Sequence, residues 1–271
     1  MYIPEAKNVI KVCLAANIAV DITGHKGIGK TQLVRQIGRD WEDSFTGKKG
    51  IPVTTLYCAT QDITDLIGFP IKIWEKSGNP VVNGVIEEGR IVTSWAPPCW
   101  WPKEDPKEVK EDEKIRQQMI ENGKSDEEIY AFWNRPKRII FLDEMKRAQR
   151  DVIQAMYPLV LSHQLHTHHL PRGTRVITAD NYAGAYDVRT PDEAFLSRFC
   201  YVPIEAEIKG WLEFARETSI FPKIQNFLST NPSFLLGVPE DMEATISPRV
   251  PLPDPRSWEM VHKIETFGRY G

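Results

Sequence analysis

The sequence predicts an α/β fold in which a mostly parallel sheet is sandwiched by helices, with a small helical region after it. Three observations predict this. Short apolar runs at residues 18–22, 52–57, 138–142 and 175–179 have the length of buried strands. Helical periodicities lie between them, and strands that alternate with helices imply a parallel sheet covered on both faces. A glycine-rich segment beginning at Gly24 joins the first strand directly to a helix.

Taken in order, residues 5–17 place Val9, Ile10, Cys13 and Leu14 at helical spacing before the first strand. Beyond the glycine segment, Leu33, Val34 and Ile37 mark one face of a helix over 31–39. A polar stretch over 41–50 leads to the strand at 52–57, and Ile63, Leu66 and Ile67 mark a short amphipathic piece. Ile71 and Ile73, then Val81 and Val82, flank Ser77-Gly78-Asn79-Pro80 and predict a hairpin. Residues 103–135 are dense in charge, with Ile115, Met119, Ile120, Ile129, Phe132 and Trp133 as their main apolar residues. They predict one or two exposed helices inserted into the domain. Their charges are either a solvated face or a partner-docking element, and Phe132 and Trp133 either anchor that partner or pack onto the core. After the strand that ends at Asp143-Glu144, Val152, Ile153, Met156, Leu159 and Val160 define a helix. From about Glu205 the chain turns helical and proline-punctuated, so the expected division is a core over 1–204 and a helical lid over 205–271.

Composition narrows the function classes. A chain of 271 residues with 41% hydrophobic and 26% charged residues is ordinary for a globular protein. No apolar run approaches the roughly 18 residues of a membrane span. The N-terminal segment has no basic leader before an apolar stretch, which predicts a cytoplasmic protein. Cys13, Cys58, Cys99 and Cys200 have no paired spacing, and so read as free thiols. The net charge of −3 argues against a protein that coats nucleic acid, though not against a local basic pore.

Gly24-His25-Lys26-Gly27-Ile28-Gly29-Lys30-Thr31 matches GxxxxGK[ST] between a strand and a helix, and Gln32 follows on that helix. Its glycines let successive backbone N–H groups converge on phosphates, to which the helix N-terminus adds its positive dipole end. Lys30 is expected to reach the β- and γ-phosphates, and Thr31 to place its hydroxyl on Mg²⁺. About a hundred residues later an apolar strand delivers Asp143 and Glu144 at its carboxyl end. Asp143 is the candidate to orient the Mg²⁺ shell, and Glu144 the candidate to polarise the attacking water. These contacts read phosphates and leave ATP and GTP undistinguished. His163, His166, His168 and His169 have no nearby carboxylate or cysteine to complete a metal shell, so a polar hairpin is expected there.

The order of these pieces resembles the AAA+ ATPases, and within them the MoxR-like, helix-2-insert branch. Asp143-Glu144-Met145-Lys146-Arg147-Ala148 is similar to the pattern in which two acids lead into Asn-Arg-Ala, with Lys146 in place of the asparagine. Asp65-Leu66-Ile67-Gly68 is similar to the entry of the helix-2 insert, and residues 163–171 stand where that branch has its pre-sensor-1 hairpin. The resemblance implies that Asn181 is sensor 1, beside the attacking water, and that Arg198, in Ser197-Arg198-Phe199, is a trans-acting finger. It implies sensor 2 at Arg256, in Pro255-Arg256-Ser257-Trp258, with Arg249 as a rival.

By the same resemblance the cofactors are ATP and Mg²⁺, and the assembly is a ring of identical subunits, commonly a hexamer. The implied work is remodelling of a protein partner, often one with a von Willebrand A domain. One rival is a nucleic-acid motor, a translocase or McrB-like subunit. It calls for basic pore hairpins, whereas the first hairpin mixes Lys72 and Lys76 with Glu75, Glu87 and Glu88. The other rival is a slow, nucleotide-gated assembly platform.

Overall fold

The computed structural model describes residues 1–76, 89–182, 193–238, 242 and 252–268. Five strands form one wholly parallel sheet: β1 (Ala19–Gly24), β2 (Val53–Tyr57), β5 (Arg138–Asp143), β8 (Thr174–Asn181) and β9 (Phe199–Ile204), in the order β2-β5-β8-β1-β9. β5 is buried along its whole length and β8 everywhere but its last residue, which follows from their places inside the sheet with both faces covered. The register aligns Gly24 with Asn181, and Asp143 with Ala179. Three chemically distinct segments therefore reach the same carboxyl edge.

Helix α1 (Ile3–Ala15) buries Ala6, Ile10, Cys13 and Leu14, one face at three- and four-residue spacing. With Leu33, Val34 and Ile37 of α2 (Lys30–Arg39) it covers one side of the sheet, against Val20, Ile22, Phe141 and Ile177. The other side carries Leu66 of α3 (Ile63–Ile67) and Val152, Met156 and Leu159 of α6 (Arg150–Ser162), packed on Ile140 and Leu142. A third cluster stands apart. Trp211 and Ala215 of α8 (Ile208–Glu217) pack with Ile224 and Leu228 of α9 (Pro222–Thr230) and with Trp258 of α10 (Pro255–Gly268). The Trp258 indole also donates to the Phe234 carbonyl at 2.8 Å.

Three sequence expectations change. β3 (Phe69–Lys76) pairs with β4 (Gly89–Ala96), a strand the sequence reading did not place, while Val81 and Val82, where it did place one, fall outside the described residues. The sheet has a fifth strand, β9, whose alternation of buried Val202 and Ile204 with exposed residues was hidden behind the Ser-Arg-Phe segment. The third change concerns residues 103–135. They do form two helices, α4 (Pro106–Glu121) and α5 (Asp126–Trp133), but these are not simply exposed. Phe132 is fully buried, edge-on to Phe45, and the guanidinium groups of Arg116 and Arg172 both lie over the Trp133 ring. The aromatic residues read as candidate partner anchors hold the insertion to its own domain. The histidine segment does form a small hairpin, β6 (Gln164–Leu165) against β7 (His168–His169), where His166 packs on Trp95 and His168 on Trp101.

Candidate functional site

The glycine loop leaves β1 and enters α2 through Gly29, whose φ of 94° lies in the left-handed region. Gly27 also has a positive φ, +76°, and a Cβ there would stand 2.5 Å from the Asp254 carboxylate. Only glycine meets both demands. Ile28 is buried beneath the loop, whereas His25, Lys26 and Gln32 are exposed, with the His25 ring edge-on to Tyr182. Gly27, Ile28, Gly29 and Gln32 line one wall of a cavity of about 300 Å³. Tyr2, Ile3, Trp211, Phe214 and Pro255 help to line the rest of it.

Lys30 turns back into this loop. Its ammonium donates to the carbonyls of Gly24 (2.9 Å) and His25 (2.8 Å) and to Asn181 Oδ1 (2.8 Å). Burial pushes Lys30 down to about 8, against the pull of Asp143, Asp180 and Glu144, and the positive charge of Arg256 lowers it a little further. A buried ammonium held by neutral oxygens is poorly compensated, which is the state that an arriving phosphate anion relieves.

The Thr31 hydroxyl donates to Asp143 Oδ2 at 2.8 Å. Asp143 is held above the usual carboxylate range, first by burial and then by the charge of neighbouring Glu144, with the Thr31 bond opposing both. A hydroxyl and an under-compensated carboxylate are hard oxygen donors, the kind Mg²⁺ takes while it keeps most of its waters. These two residues therefore fit the metal.

Glu144 follows in the left-handed region, φ 55°, a conformation that costs a non-glycine residue about 1 kcal/mol or more. Its backbone N–H donates to the Ala179 carbonyl at 2.8 Å. Its side chain accepts from Arg147 Nη1 at both oxygens (3.0 and 2.9 Å) and from Asn181 Nδ2 at 3.3 Å. Asn181 thus bridges Lys30 and Glu144, its amide oxygen on one and its amide nitrogen on the other.

Of the residues predicted from sequence, the structure brings together Lys30, Thr31, Asp143, Glu144 and Asn181. Arg256 opens α10 near enough to act on Lys30, while Arg249 lies outside the described residues. Arg198 is elsewhere. It immediately precedes β9, whose Phe199 pairs with Ala19 and whose Ile204 pairs with Gly24. Six residue steps along the strand, about 20 Å at 3.3 Å each, separate it from the glycine loop of its own chain. Sequence reasoning missed four contacts: Arg147 on Glu144, Lys30 on Asn181, Asp254 against Gly27, and Lys146 between Asp21 and Asp180. A signal existed for the last: Asp21 is an acid flanked by Val20 and Ile22 in a strand read as buried.

Among the described residues no helix is long and apolar enough to cross a membrane. No family model matches the chain, and no curated protein does. Among solved structures it is similar to a provisionally named ATPase of Cytophaga hutchinsonii (TM-score 0.47, 13% identity, 81% of this chain and 51% of that one). It is similar to NtrX of Brucella abortus (TM-score 0.45, 15% identity, 99% and 51%), also solved with ADP and with ATP. A RuvB variant of Thermotoga maritima gives a TM-score of 0.41 at 13% identity over 80% of this chain and 51% of that one. The chain spans about half the length of each.

Proposed function

We propose that this chain is a Mg²⁺-dependent ATPase of the AAA+ class whose sites are completed between subunits of a ring. The observation that carries the reading is one constellation: the Lys30 ammonium, the Thr31–Asp143 pair and the Glu144–Asn181 pair share the carboxyl edge of a parallel sheet, where such folds bind ligands. The loop's backbone N–H groups cradle the phosphates. Lys30 exchanges the Gly24 and His25 carbonyls for phosphate oxygens, which frees Asn181 to orient a water. Glu144 accepts the proton of that water as it attacks the γ-phosphorus. Thr31 and Asp143 would hold Mg²⁺, which would supply charge neutralisation for phosphoryl transfer.

Arg198 serves a neighbour's site in this reading, which its distance from its own loop favours over an action in cis. The 205–271 segment is the lid, the cavity of about 300 Å³ against it receives the base and ribose, and Arg256 reports the γ-phosphate to α10. By resemblance to the MoxR-like branch, the ring remodels a protein partner, one with a von Willebrand A domain being the first choice.

Variants and their mixtures test the reading. Lys30→Ala should bind no ATP, and Arg198→Ala should bind it with near-parental affinity yet turn it over at least about a hundredfold more slowly. Titrated together, the two should recover activity at interfaces that pair an intact loop with an intact finger. Parental turnover in Lys30→Ala removes the site assignment. Mixtures that exchange subunits but stay inactive remove the trans role of Arg198. Strong stimulation by single-stranded or duplex DNA transfers the assignment to a nucleic-acid motor.

A further inference from the structure

We propose that Lys146 is a positioning residue for hydrolysis, riveting the turn that carries Glu144 to the strand that carries Asn181. The inference rests on the ATPase reading above.

The turn has a conformational problem to solve. Glu144 sits at φ 55°. A strained residue persists only where its surroundings over-determine it. Downstream, the constraint comes from Lys146. Its backbone N–H donates to Asp180 Oδ1 at 2.8 Å, and its ammonium donates to Asp21 Oδ2 at 2.9 Å and lies 3.7 Å from Asp180 Oδ2. Asp21 is held in turn by the Thr178 hydroxyl at 2.9 Å. One side chain thereby ties the turn to β1 and β8, the two strands that also deliver Gly24 and Asn181.

The chemistry of the pocket selects a long cation. Asp21 and Asp180 are 2% and 1% exposed, and two buried carboxylates so close need a positive charge between them. A neutral amide at 146 could accept or donate one bond but could not neutralise either acid. The departure from the Asn-Arg-Ala pattern at this position and the paired acids at 21 and 180 are thus one feature. Among the described residues Lys146 makes no hydrogen bond or ion pair with Lys30, Thr31, Asp143 or Asn181; its effect reaches the reacting atoms through the position of Glu144.

The experiment compares Lys146→Met, Lys146→Arg and the double variant Asp21→Asn/Lys146→Met. The double variant removes one of the stranded acids, so that it folds even where Lys146→Met alone does not. Steady-state Mg-ATP hydrolysis is measured together with equilibrium binding of a fluorescent ATP analogue. In both Met variants that fold, kcat should fall about tenfold or more while analogue affinity stays within about threefold, because the loss concerns the attacking water and not the phosphate cradle. Lys146→Arg, which keeps the charge, should recover most of kcat. A double variant as stable as the parent and with kcat within twofold of it overturns the proposal, since the lysine would then only balance charge. A parent that binds the analogue but shows no hydrolysis defeats the ATPase reading itself, and the proposal with it.

Discussion

Among the described residues, two clusters of buried charge are balanced in opposite senses. Beside the candidate site, two carboxylates, Asp21 and Asp180, share the single ammonium of Lys146. Beneath the inserted helices, the single carboxylate of Asp112 is shared by Arg135 at 2.7 Å, by Arg172 at 3.0 Å and by Lys137. Arg135 reaches on to Asp43 at 2.6 Å. The consequence shows in the acids. Burial alone would raise Asp112, yet hydrogen bonds from Arg135 and Lys137 and their charges hold it below the usual carboxylate range. Burial raises Asp180 to about 6, the charge of Asp21 adds to the rise, and Lys146 only partly opposes it. Asp180 Oδ2 has no hydrogen-bond donor. An over-supplied acid fastens one part of a fold to another. An under-supplied one stores unfavourable energy next to the chemistry.

The largest effect expected from this contrast is at the fastened end. Asp112→Asn leaves three cations around a neutral amide, and breaking such a network from one side costs about 3–5 kcal/mol. Urea titration should show that loss, with α4 and α5 becoming the most protease-sensitive part of the chain. A loss below about 1 kcal/mol would mean that Phe132 and Trp133 hold the insertion unaided.

At the other cluster the sign reverses. The folded-state pKa of Asp180 lies above its unfolded value, so the folded protein binds more protons between about pH 4 and 6, and stability falls as pH rises through that window. Above it, the cost of keeping the acid ionised is fully present. Asp180→Asn removes the cost while its amide oxygen still accepts from the Lys146 N–H. It should therefore stabilise the protein by on the order of 1–3 kcal/mol at pH 7.5, and the gain should shrink to nothing near pH 4. The groups facing Asp180 are Asp21, Lys146, Lys30, Tyr201 and Cys58. Thermal melts of parent and variant from pH 4 to 8 decide it. Destabilisation by Asn at every pH would show that the carboxylate is a net asset.

The same contrast explains what could be read from the chain. Residues 24–31 and 143–144 were legible because each is local: glycines, a lysine, or acids at a strand end announce themselves within a few positions, whereas Asn181 was read only from the order of motifs in the resemblance. The inner strands 18–22, 138–142 and 175–179 were legible because burial on both faces leaves a largely apolar run. What stayed hidden depends on partners distant in sequence. Asp112 stands in a run of alternating charges, and nothing local separates it from neighbours such as Glu111 and Glu113, which are exposed. Its partners Arg135, Lys137 and Arg172 are 23 to 60 residues away. Lys146 read as a substitution in a motif because its carboxylates come from two other strands. β9 was missed for a different reason, since at the sheet edge only alternate residues are buried and the apolar run is broken.

The smallest effect sharpens the comparison from the exposed side, between the same two helices. Lys124 pairs with Glu128 at 2.8 Å, as close as Arg135 is to Asp112, but both side chains are about half exposed, at 50% and 48%. Water and salt already satisfy such groups, so Lys124→Ala should cost less than about 0.5 kcal/mol and less still at high ionic strength. Ser125, the next residue, does different work. Its hydroxyl accepts from the Glu128 N–H at 3.2 Å and its own N–H donates to the Glu128 carboxylate at 3.2 Å, which closes a capping box at the start of α5. Ser125→Ala therefore leaves a helix-end donor without its partner and should cost about 1 kcal/mol, independent of salt. Urea midpoints for the two variants, at low and high salt, set the pair against the cap on one turn of chain. Equal costs, both falling with salt, would mean that charge and not hydrogen bonding sets the start of α5. The distinction between buried and exposed ion pairs would then fail within this one helical insertion.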